Sequence, residues 1–484
     1  MLTYYLDDAG SKSLYQYLYE CIRKDIISGS LSAGDRLPSK RSFAGNLGVS
    51  TITVENAYDR LIAEGYIYSI PKKGYYVSEL EIPSYDTERY DSRPDHGSDK
   101  RSSGYRIDLV SNRISQELFP FSVWSRLTRQ TLNDHRKELM EPSPPGGVYE
   151  LRQAVAQHLF RFRGMEVSPD QVIIGSGTEY LYGLIIQLLG RDKTYALEDP
   201  GYQKIEKIYL AQGGKVRRIP LDAGGVNMRS LRSLGGDVLH ISPSHHFPTG
   251  IVTPVSRRYE LLGWLNEKDS RFIVEDDFDS ELRLRGHMMP TLRSIDMTGR
   301  VIYMNTFSKT LTPTIRISYM VLSPELADRF ERELGFYSCT VSVFEQYILA
   351  EFIRRNYFER HLNRARKFYR DQRERILSEL KARPELAGAR IMEEGAGLHF
   401  LLKLPELGIS DRQLCDRAAK EGLRISCLSE YYARKQEAPV SVLVINYSSI
   451  DPDRIGESVD TLARFIDTQE KRHVEHINET VSEI

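Results

Sequence analysis

Apolar residues recur at helical spacing along the first eighty residues of the chain. The first run predicts an amphipathic helix that ends at Gly29 and has an inner face of Leu14, Tyr17, Leu18, Cys21, Ile22 and Ile26. Ser39 and Ser50 stand where helix N-caps belong, so two more helices are predicted, with a tight turn at Gly48 between them. Residues 66–70 and 75–77 have the composition of two short strands. Three helices and a hairpin are the parts of a winged helix-turn-helix.

The pattern changes after residue 80. Residues 81–104 hold few apolar side chains and are rich in Pro, Ser, Gly and charges, which predicts a linker. From residue 105 onward, short apolar runs such as QVIIGSG, FIVEDD and VIYMNTF alternate with helical stretches. This alternation predicts an α/β domain with a mostly parallel sheet that helices cover on both faces. Ligands bind at the carboxyl ends of the strands in such sheets.

Composition indicates which cellular compartment and which binding partners to expect. The 484 residues carry a net charge of −1, so binding to nucleic acid requires a local excess of cations. The four cysteines are far apart or lone and form no CxxC pair, which argues against a metal ribbon and favours buried thiols in a reducing cytosol. The chain shows no signal peptide and no apolar run of about 18 residues. We therefore expect a soluble cytoplasmic protein with no bound metal and no membrane partner.

The first domain, residues 1–80, resembles the GntR family of regulators. The segments GDRLPSKR, LGVS and LIAEGY carry this resemblance. It implies that promoter DNA is held in its major groove by Arg41, Ser50, Thr51, Ile52 and Thr53, and at the wing by Lys73 and Gly74. A capped helix N-terminus also offers free N–H groups to phosphate. Many family members have Arg where this chain has Thr51, and Glu55 adds a negative charge to the same helix, so the base preference stays open.

Four features of the second domain point to a phosphorylated aldehyde as ligand. Lys309 follows the apolar run VIYMNTF, and a lysine at a strand end can form a Schiff base. Asp276 ends the run FIVED, where a buried carboxylate can keep a pyridine nitrogen protonated. The turn GSGT, ending in Gly177 and Thr178, joins a strand to a helix and suits a phosphate. Arg316, seven residues after Lys309, supplies a balancing charge.

Together these features resemble the fold-type I, aminotransferase-like enzymes that use pyridoxal 5′-phosphate (PLP). Combined with a GntR-like domain, the chain resembles the MocR/GabR-type regulators. The resemblance implies a domain at 105–475, with a large part at about 140–340 and a smaller C-terminal α+β part built from 105–139 and 341–475. It also implies a head-to-tail homodimer. Lys309 then forms the Schiff base, Asp276 pairs with the pyridine nitrogen and Tyr202 stacks on the ring, while the phosphate is held by Gly177, Thr178, Thr306, Ser308 and Arg316.

The chain departs from an aminotransferase at two places. Phe247 and Phe278 stand where such enzymes aim an Asn and a Tyr at the phenolic oxygen of PLP. The late stretch VSVLVINYSSI also lacks the Arg that binds a substrate carboxylate. Lys204, Arg434 and Arg113 are the alternatives that we predict for binding an effector carboxylate.

Two functions are compatible with these residues. The first is a PLP-dependent transcription regulator that senses an amino acid or amine through an external aldimine, which frees Lys309. The second is an active PLP-dependent aminotransferase with an accessory DNA-binding domain. The nearly complete helix-turn-helix, the two Phe residues and the absent Arg favour the regulator, for which physiological turnover is not expected.

Overall fold

A computed structural model describes residue 4 and residues 12–80, 104–111, 114–284, 289–392 and 397–482. The chain divides into two compact units, an N-terminal unit at Met1–Ser102 and a C-terminal unit at Ser103–Ile484. Apart from Gly104, the predicted linker at 81–104 lies outside the described residues and stays a prediction. Within the described parts of the chain, no helix combines the length and the apolar character that crossing a bilayer demands.

The N-terminal unit contains three helices, α1 (Leu14–Ile27), α2 (Lys40–Leu47) and α3 (Thr51–Ala63), and three strands, β1 (Arg36–Leu37), β2 (Ile67–Ile70) and β3 (Gly74–Val77). The Oγ atoms of Ser39 and Ser50 accept hydrogen bonds from backbone N–H groups of α2 and α3, as the sequence predicts. Gly48 ends α2 with a φ of 68°. The buried core of the unit is formed by Leu18, Tyr19, Ile22, Ile26, Leu37, Phe43, Val54, Ala57, Tyr58, Leu61, Ile67 and Val77.

The sequence predicts only a two-stranded hairpin in this unit, whereas the structure has a third strand before α2. Arg36 and Leu37 pair antiparallel with Tyr76 and Tyr75, so β1 joins the hairpin in a sheet of order β1-β3-β2. A strand of two residues has no period to detect, which is why the sequence pattern missed it. Strand β1 therefore connects the β2–β3 hairpin, which is the predicted wing, to the rest of the unit.

The strands of the C-terminal unit are β4 (Ile107–Asp108), β5 (Val172–Gly175), β6 (Thr194–Asp199), β7 (Lys215–Asp222), β8 (Gly225–Val226), β9 (Val238–Ile241), β10 (Phe272–Asp276), β11 (Val301–Thr306), β12 (Ser318–Val321), β13 (Arg390–Met392), β14 (His399–Lys403), β15 (Leu423–Arg424) and β16 (Val442–Asn446). Its helices are α4 (Phe121–Asp134), α5 (Tyr149–Arg163), α6 (Thr178–Leu189), α7 (Gln203–Ala211), α8 (Met228–Leu234), α9 (Val255–Asn266), α10 (Leu292–Ile295), α11 (Pro324–Leu334), α12 (Val343–Arg354), α13 (Tyr357–Ala382), α14 (Asp411–Lys420) and α15 (Ile455–Ser482).

An eight-stranded sheet of order β5-β12-β11-β10-β9-β6-β7-β8 forms the centre of this unit. Strands β7, β6, β9, β10 and β11 are parallel, whereas β12 is antiparallel to both of its neighbours and β8 to β7. Successive residues of a strand face opposite sides of a sheet, and both sides of β10 are covered. Val274 packs in the cluster that contains Leu181 of α6, and Ile273 packs in the cluster that contains Leu261 of α9. The mostly parallel, doubly covered sheet confirms the predicted fold class.

Two smaller sheets complete the C-terminal unit. Strands β13, β14 and β16 form an antiparallel sheet, and β15 pairs in parallel with β4. The register joins Ile107 to Leu423 and Asp108 to Arg424, so the beginning of the unit is bound to a segment more than three hundred residues later. Helix α15 continues to Ser482, beyond the predicted domain end at 475.

A buried ion pair connects α9 to the end of β10. The side chains of Arg258 and Glu275 are completely buried, with Nη1 and Oε1 3.3 Å apart. Arg258 also donates to the carbonyl oxygens of Pro243, Thr253 and Pro290, and Glu275 accepts from two backbone N–H groups at the start of α10. Because a buried charge must be compensated on all sides, this pair fixes the loops that follow β9 and β10.

Candidate functional site

A cavity of about 580 Å³ lies where the carboxyl ends of β6, β9, β10 and β11 meet. Its size is in the range of small-ligand sites. Its walls come from both the central sheet and the late part of the chain. The lining residues include Gly177, Thr178, Tyr182, Glu198, Tyr202, Arg218, His240, His246, Phe247, Asp276, Phe278, Thr306, Ser308, Lys309, Arg316, Arg424, Tyr431 and Asn446.

Asp276 is the last residue of β10 and is almost completely buried. Its Oδ2 accepts a 2.6 Å hydrogen bond from the Tyr182 hydroxyl and lies 3.5 Å from Nε2 of His240. Burial raises the pKa of Tyr182 well above its usual value, and Asp276 adds to this, so the phenol stays protonated and donates. Among the described residues, no donor contacts the buried Oδ1 of Asp276. One oxygen of a buried carboxylate is therefore left for a ligand.

The acids on either side of Asp276 have partners of their own. Glu275 is paired with Arg258, and Asp277 forms an ion pair with Arg163 and accepts a 2.7 Å bond from Tyr303. Arg163 and hydrogen bonds outweigh the burial of Asp277 and hold its pKa below the usual value. Adjacent positions in this acidic run thus have different roles, and Asp276 is the one that lines the cavity.

Lys309 lies in the turn between β11 and β12. Burial lowers the pKa of its amine below the usual value, and the charges of Asp279 and Asp276 oppose this shift. Asp279 is held at 2.8 Å by Nδ1 of His245. A lysine with a lowered pKa carries a larger neutral fraction near neutral pH, which is the form that attacks a carbonyl.

An anion cradle is formed at the start of α6. Gly177 has a φ of 90°, and a Cβ built on it would lie 2.5 Å from Nη2 of Arg316. Arg316 therefore packs directly over a backbone that only glycine suits. Ser308 contributes an Oγ that is buried and unpartnered among the described residues, and its N–H donates to Oγ1 of Thr306. Thr178, the first residue of α6, adds the N-terminal N–H groups of that helix.

Aromatic side chains form the remaining wall of the cavity. Tyr202 is half exposed, and its ring centroid lies 6.4 Å from that of Phe247 at 82°. Phe247 also packs edge-on against Tyr431, at 5.2 Å. Phe278 lines the cavity as well. Phe247 and Phe278, which we predicted to replace two polar donors of an aminotransferase, thus both contribute apolar surface to the cavity.

Two of the three predicted carboxylate anchors lie outside the cavity lining. Lys204 is exposed and forms an ion pair with Glu179. Arg434 is exposed and pairs with Glu437 at 3.1 Å. Neither belongs to the cavity lining. Arg113 lies outside the described residues.

The sequence patterns missed several cavity residues. Tyr182 stands one helical turn after Thr178, a spacing that would have identified it. Glu198 lies four residues before Tyr202 in the segment EDPGY. Arg424 has no local signal, because it reaches the cavity only through the pairing of β15 with β4.

Glu198 at the end of β6 is a buried acid that has no cationic partner among the described residues. Its Oε2 accepts a 2.9 Å bond from the N–H of Ser242 and lies 3.5 Å from Nε2 of His246. Burial raises the pKa of Glu198 to about 8, with a smaller contribution from Asp276. Burial lowers the pKa of His246 to about 3, helped by His245. At neutral pH Glu198 and His246 are therefore both uncharged, and the contact is not an ion pair.

In the N-terminal unit, the predicted DNA-contact residues lie at the surface. Arg41 is exposed in the first turn of α2, and Ile52 is 65% exposed at the start of α3. Lys73 is exposed in the β2–β3 turn. Glu55 forms a 2.9 Å ion pair with Lys40, so its charge is balanced within the unit. Asn56, exposed one turn after Ile52, was not singled out by the motif.

Comparison with known proteins agrees with both units. Residues 14–77 match the family described as bacterial regulatory proteins, gntR family, and residues 107–462 match aminotransferase class I and II. The uncharacterized HTH-type transcriptional regulator YdeL of Bacillus subtilis is 34% identical over 93% of this chain and 96% of its own length. The probable rhizopine catabolism regulatory protein MocR of Rhizobium meliloti is 31% identical over 94% of each chain.

The fold of the C-terminal unit has solved counterparts. A Pyrococcus horikoshii kynurenine aminotransferase, in complex with PMP, covers 80% of this chain and 97% of its own, at 25% identity and a TM-score of 0.67. The chain belongs to the aminotransferase class I and II family and, with its gntR-type domain, to the HTH-type transcriptional regulators. The predicted winged helix joined to a fold-type I domain is confirmed.

Glu198→Gln should change how stability depends on pH. A carboxyl whose pKa is higher in the folded than in the unfolded protein stabilises the fold at low pH and loses this contribution as pH rises to about 8. Between pH 6 and pH 8, the cofactor-free wild type should lose about 2 kcal/mol more than the variant. Urea unfolding at both pH values measures this. The exposed Glu117→Gln should behave as wild type, and equal slopes for all three proteins would exclude a protonated Glu198.

Proposed function

We propose that the protein is a PLP-dependent transcription regulator that binds promoter DNA and senses an amino acid or amine. The observation that carries the proposal is the cavity itself. Two buried oxygens that have no hydrogen-bond partner among the described residues, Oδ1 of Asp276 and Oγ of Ser308, belong to residues that line the same cavity as Lys309. A second unit of the chain has the form of a DNA-binding domain.

The donor set fits PLP. A carboxylate oxygen suits a protonated pyridine nitrogen, and Gly177, Arg316, Ser308 and the start of α6 suit a phosphate. When bound, PLP supplies an aldehyde that condenses with primary amines and a ring that withdraws electrons. Lys309 supplies the protein's own amine, in an environment that favours its neutral form.

The other side chains orient and enclose the bound ring. Tyr182 holds Asp276 in place through the 2.6 Å hydrogen bond to Oδ2. Tyr202 offers an aromatic face at the open side of the cavity. An effector amine that takes the place of Lys309 would leave the lysine amine free inside the protein, near the carboxylates of Asp276 and Asp279. That change gives the effector a means to shift the conformational equilibrium of the protein.

The cavity favours a sensor over an efficient catalyst. Phe247 and Phe278 provide no hydrogen bond where aminotransferases stabilise the phenolic oxygen of the ring. An active aminotransferase remains the second candidate, because Lys309 and Asp276 are both in place. The late strand β16 offers no guanidinium to a substrate carboxylate, which weighs against it.

The proposed DNA contacts are made by Arg41, the start of α3 and the wing. The capped N-terminus of α3 and the exposed Ile52 and Asn56 form one face for the major groove. An Asn side chain can pair with adenine and an Arg with guanine.

We also propose a head-to-tail homodimer in the cytoplasm. Large apolar side chains on the surface, Phe121, Met297 and Phe336, are what a subunit interface covers. The four free thiols suit a reducing compartment. Two winged-helix units in a dimer would read paired half-sites.

Gly177→Ala should weaken PLP binding. The new Cβ must displace the Arg316 guanidinium, so the phosphate loses a charge-assisted contact and affinity falls roughly tenfold or more. Titration of cofactor-free protein with PLP, followed by absorbance, measures this. Gly183→Ala in the same helix is the matched control, because its Cβ would meet nothing closer than 3.7 Å. Equal PLP affinities for wild type and Gly177→Ala would remove the assignment of the cradle.

Arg41→Ala should reduce affinity for the DNA that precedes the protein's own gene. A bidentate base contact is worth about 1–3 kcal/mol, so the expected loss is roughly tenfold or more. Fluorescence anisotropy with labelled DNA measures the affinity at fixed salt. Arg60→Ala is the control, since Arg60 stacks on Tyr19 and pairs with Glu64 inside the unit. The assignment of Arg41 fails if both variants bind the fragment as wild type does.

A further inference from the structure

Four described cationic residues line the cavity: Arg218, Lys309, Arg316 and Arg424. The proposed function uses Lys309 for the cofactor aldehyde and Arg316 for its phosphate. Arg218 is engaged by the protein itself, because Nε and Nη2 both donate to Glu206 and Nη1 donates to the carbonyl oxygen of Glu198. Arg424 takes part in none of the proposed contacts with the cofactor.

Arg424 is held in place by the beginning of the C-terminal unit. Its strand β15 pairs with β4, and Nη1 lies 3.1 Å from both Oδ2 of Asp108 and Oγ of Ser111. Asp108 is itself fixed by the N–H groups of Val110 and Ser111, each at 2.9 Å, and by the Ser111 hydroxyl at 2.6 Å. This network orients the guanidinium before any ligand arrives.

The orientation leaves a bidentate edge of Arg424 for a ligand. A guanidinium has five N–H donors, and the two hydrogen bonds that Arg424 forms with described residues both leave from Nη1. The Nε and Nη2 edge has the fork geometry that a carboxylate accepts. The side chain is 44% exposed, and Arg424 lines the cavity.

We infer that Arg424 binds the carboxylate of the effector, which is therefore an amino acid and not a simple amine. The inference rests on the proposed function and adds the ligand class to it. It places the anchor on β15, beside β4, and not on the late strand β16 or at Arg434. Asp108 is a positioning residue, because it contacts the guanidinium and not the ligand.

The test uses the full-length protein loaded with PLP and two matched sets of probes. The first set contains the protein amino acids, including glycine and L-alanine, together with 3-aminopropanoate and 4-aminobutanoate. The second set contains the corresponding amines without the carboxylate, such as methylamine, ethylamine and propylamine. The absorbance change of the cofactor gives an apparent Kd for each probe. In wild type, at least one amino acid should bind roughly tenfold or more tightly than its matched amine, as expected for a charge-assisted contact.

The variants assign this preference to a residue. Arg424→Gln should remove the preference and leave the amine affinities and the PLP affinity unchanged, while Arg424→Lys should keep part of it. Asp108→Asn should weaken amino-acid binding without abolishing it. The exposed Arg464→Gln on α15, where Nε bonds only within its own helix in the described chain, is the matched control.

Three results would overturn the inference. Wild type that binds amino acids no better than amines has no carboxylate anchor. An Arg424→Gln protein that loses both classes equally shows that Arg424 only ties β15 to β4. A loss of preference in Arg434→Gln, with Arg424→Gln unaffected, assigns the anchor elsewhere. Failure of the proposed function itself is distinct, because the protein would then take up no PLP and show no cofactor absorbance.

Discussion

The carboxylate of Asp276, in the lining of the cavity, is buried and forms no ion pair with an arginine of the described chain. Glu275 and Asp277 each have a buried arginine partner, whereas Asp276 between them has the neutral Tyr182 on one oxygen and no described donor on the other. Burying an unpaired carboxylate costs several kcal/mol, and a protonated group in the cavity recovers much of that cost. In the proposed function, that group is the protonated pyridine nitrogen of PLP.

The same sheet explains why a reactive amine lies beside that carboxylate. Strands β10 and β11 are parallel neighbours, so their carboxyl ends meet at one edge, where Asp276 closes one strand and Lys309 follows the other. The same burial that makes an unpaired charge on Asp276 unfavourable also lowers the pKa of Lys309. In the proposed function, one physical condition, burial at the strand ends, serves both the binding of the PLP ring and the reactivity of Lys309.

Residues that follow a strand or cap a helix could be predicted from the sequence, because their position depends on local structure. Asp276, Lys309, Gly177 and Ser50 are of this kind. Arg424 could not be predicted, since it reaches the cavity through a pairing of β15 with β4 across more than three hundred residues. The two-residue strand β1 was missed because it is too short to show a period. The fold class followed from the alternation of strands and helices, whereas the walls of the cavity depended on contacts that no local pattern records.

In the proposed regulator, release of Lys309 by an amino acid alters the affinity for DNA. The most direct measurement compares the affinity of PLP-loaded protein for its promoter fragment with and without a responsive amino acid, before and after borohydride reduction. Reduction fixes the cofactor to Lys309. In untreated protein the affinity for the promoter fragment should change about fivefold or more when the amino acid is added, a size typical of allosteric coupling. After reduction it should not change. A response that survives reduction, or no response in untreated protein, would contradict the proposed coupling.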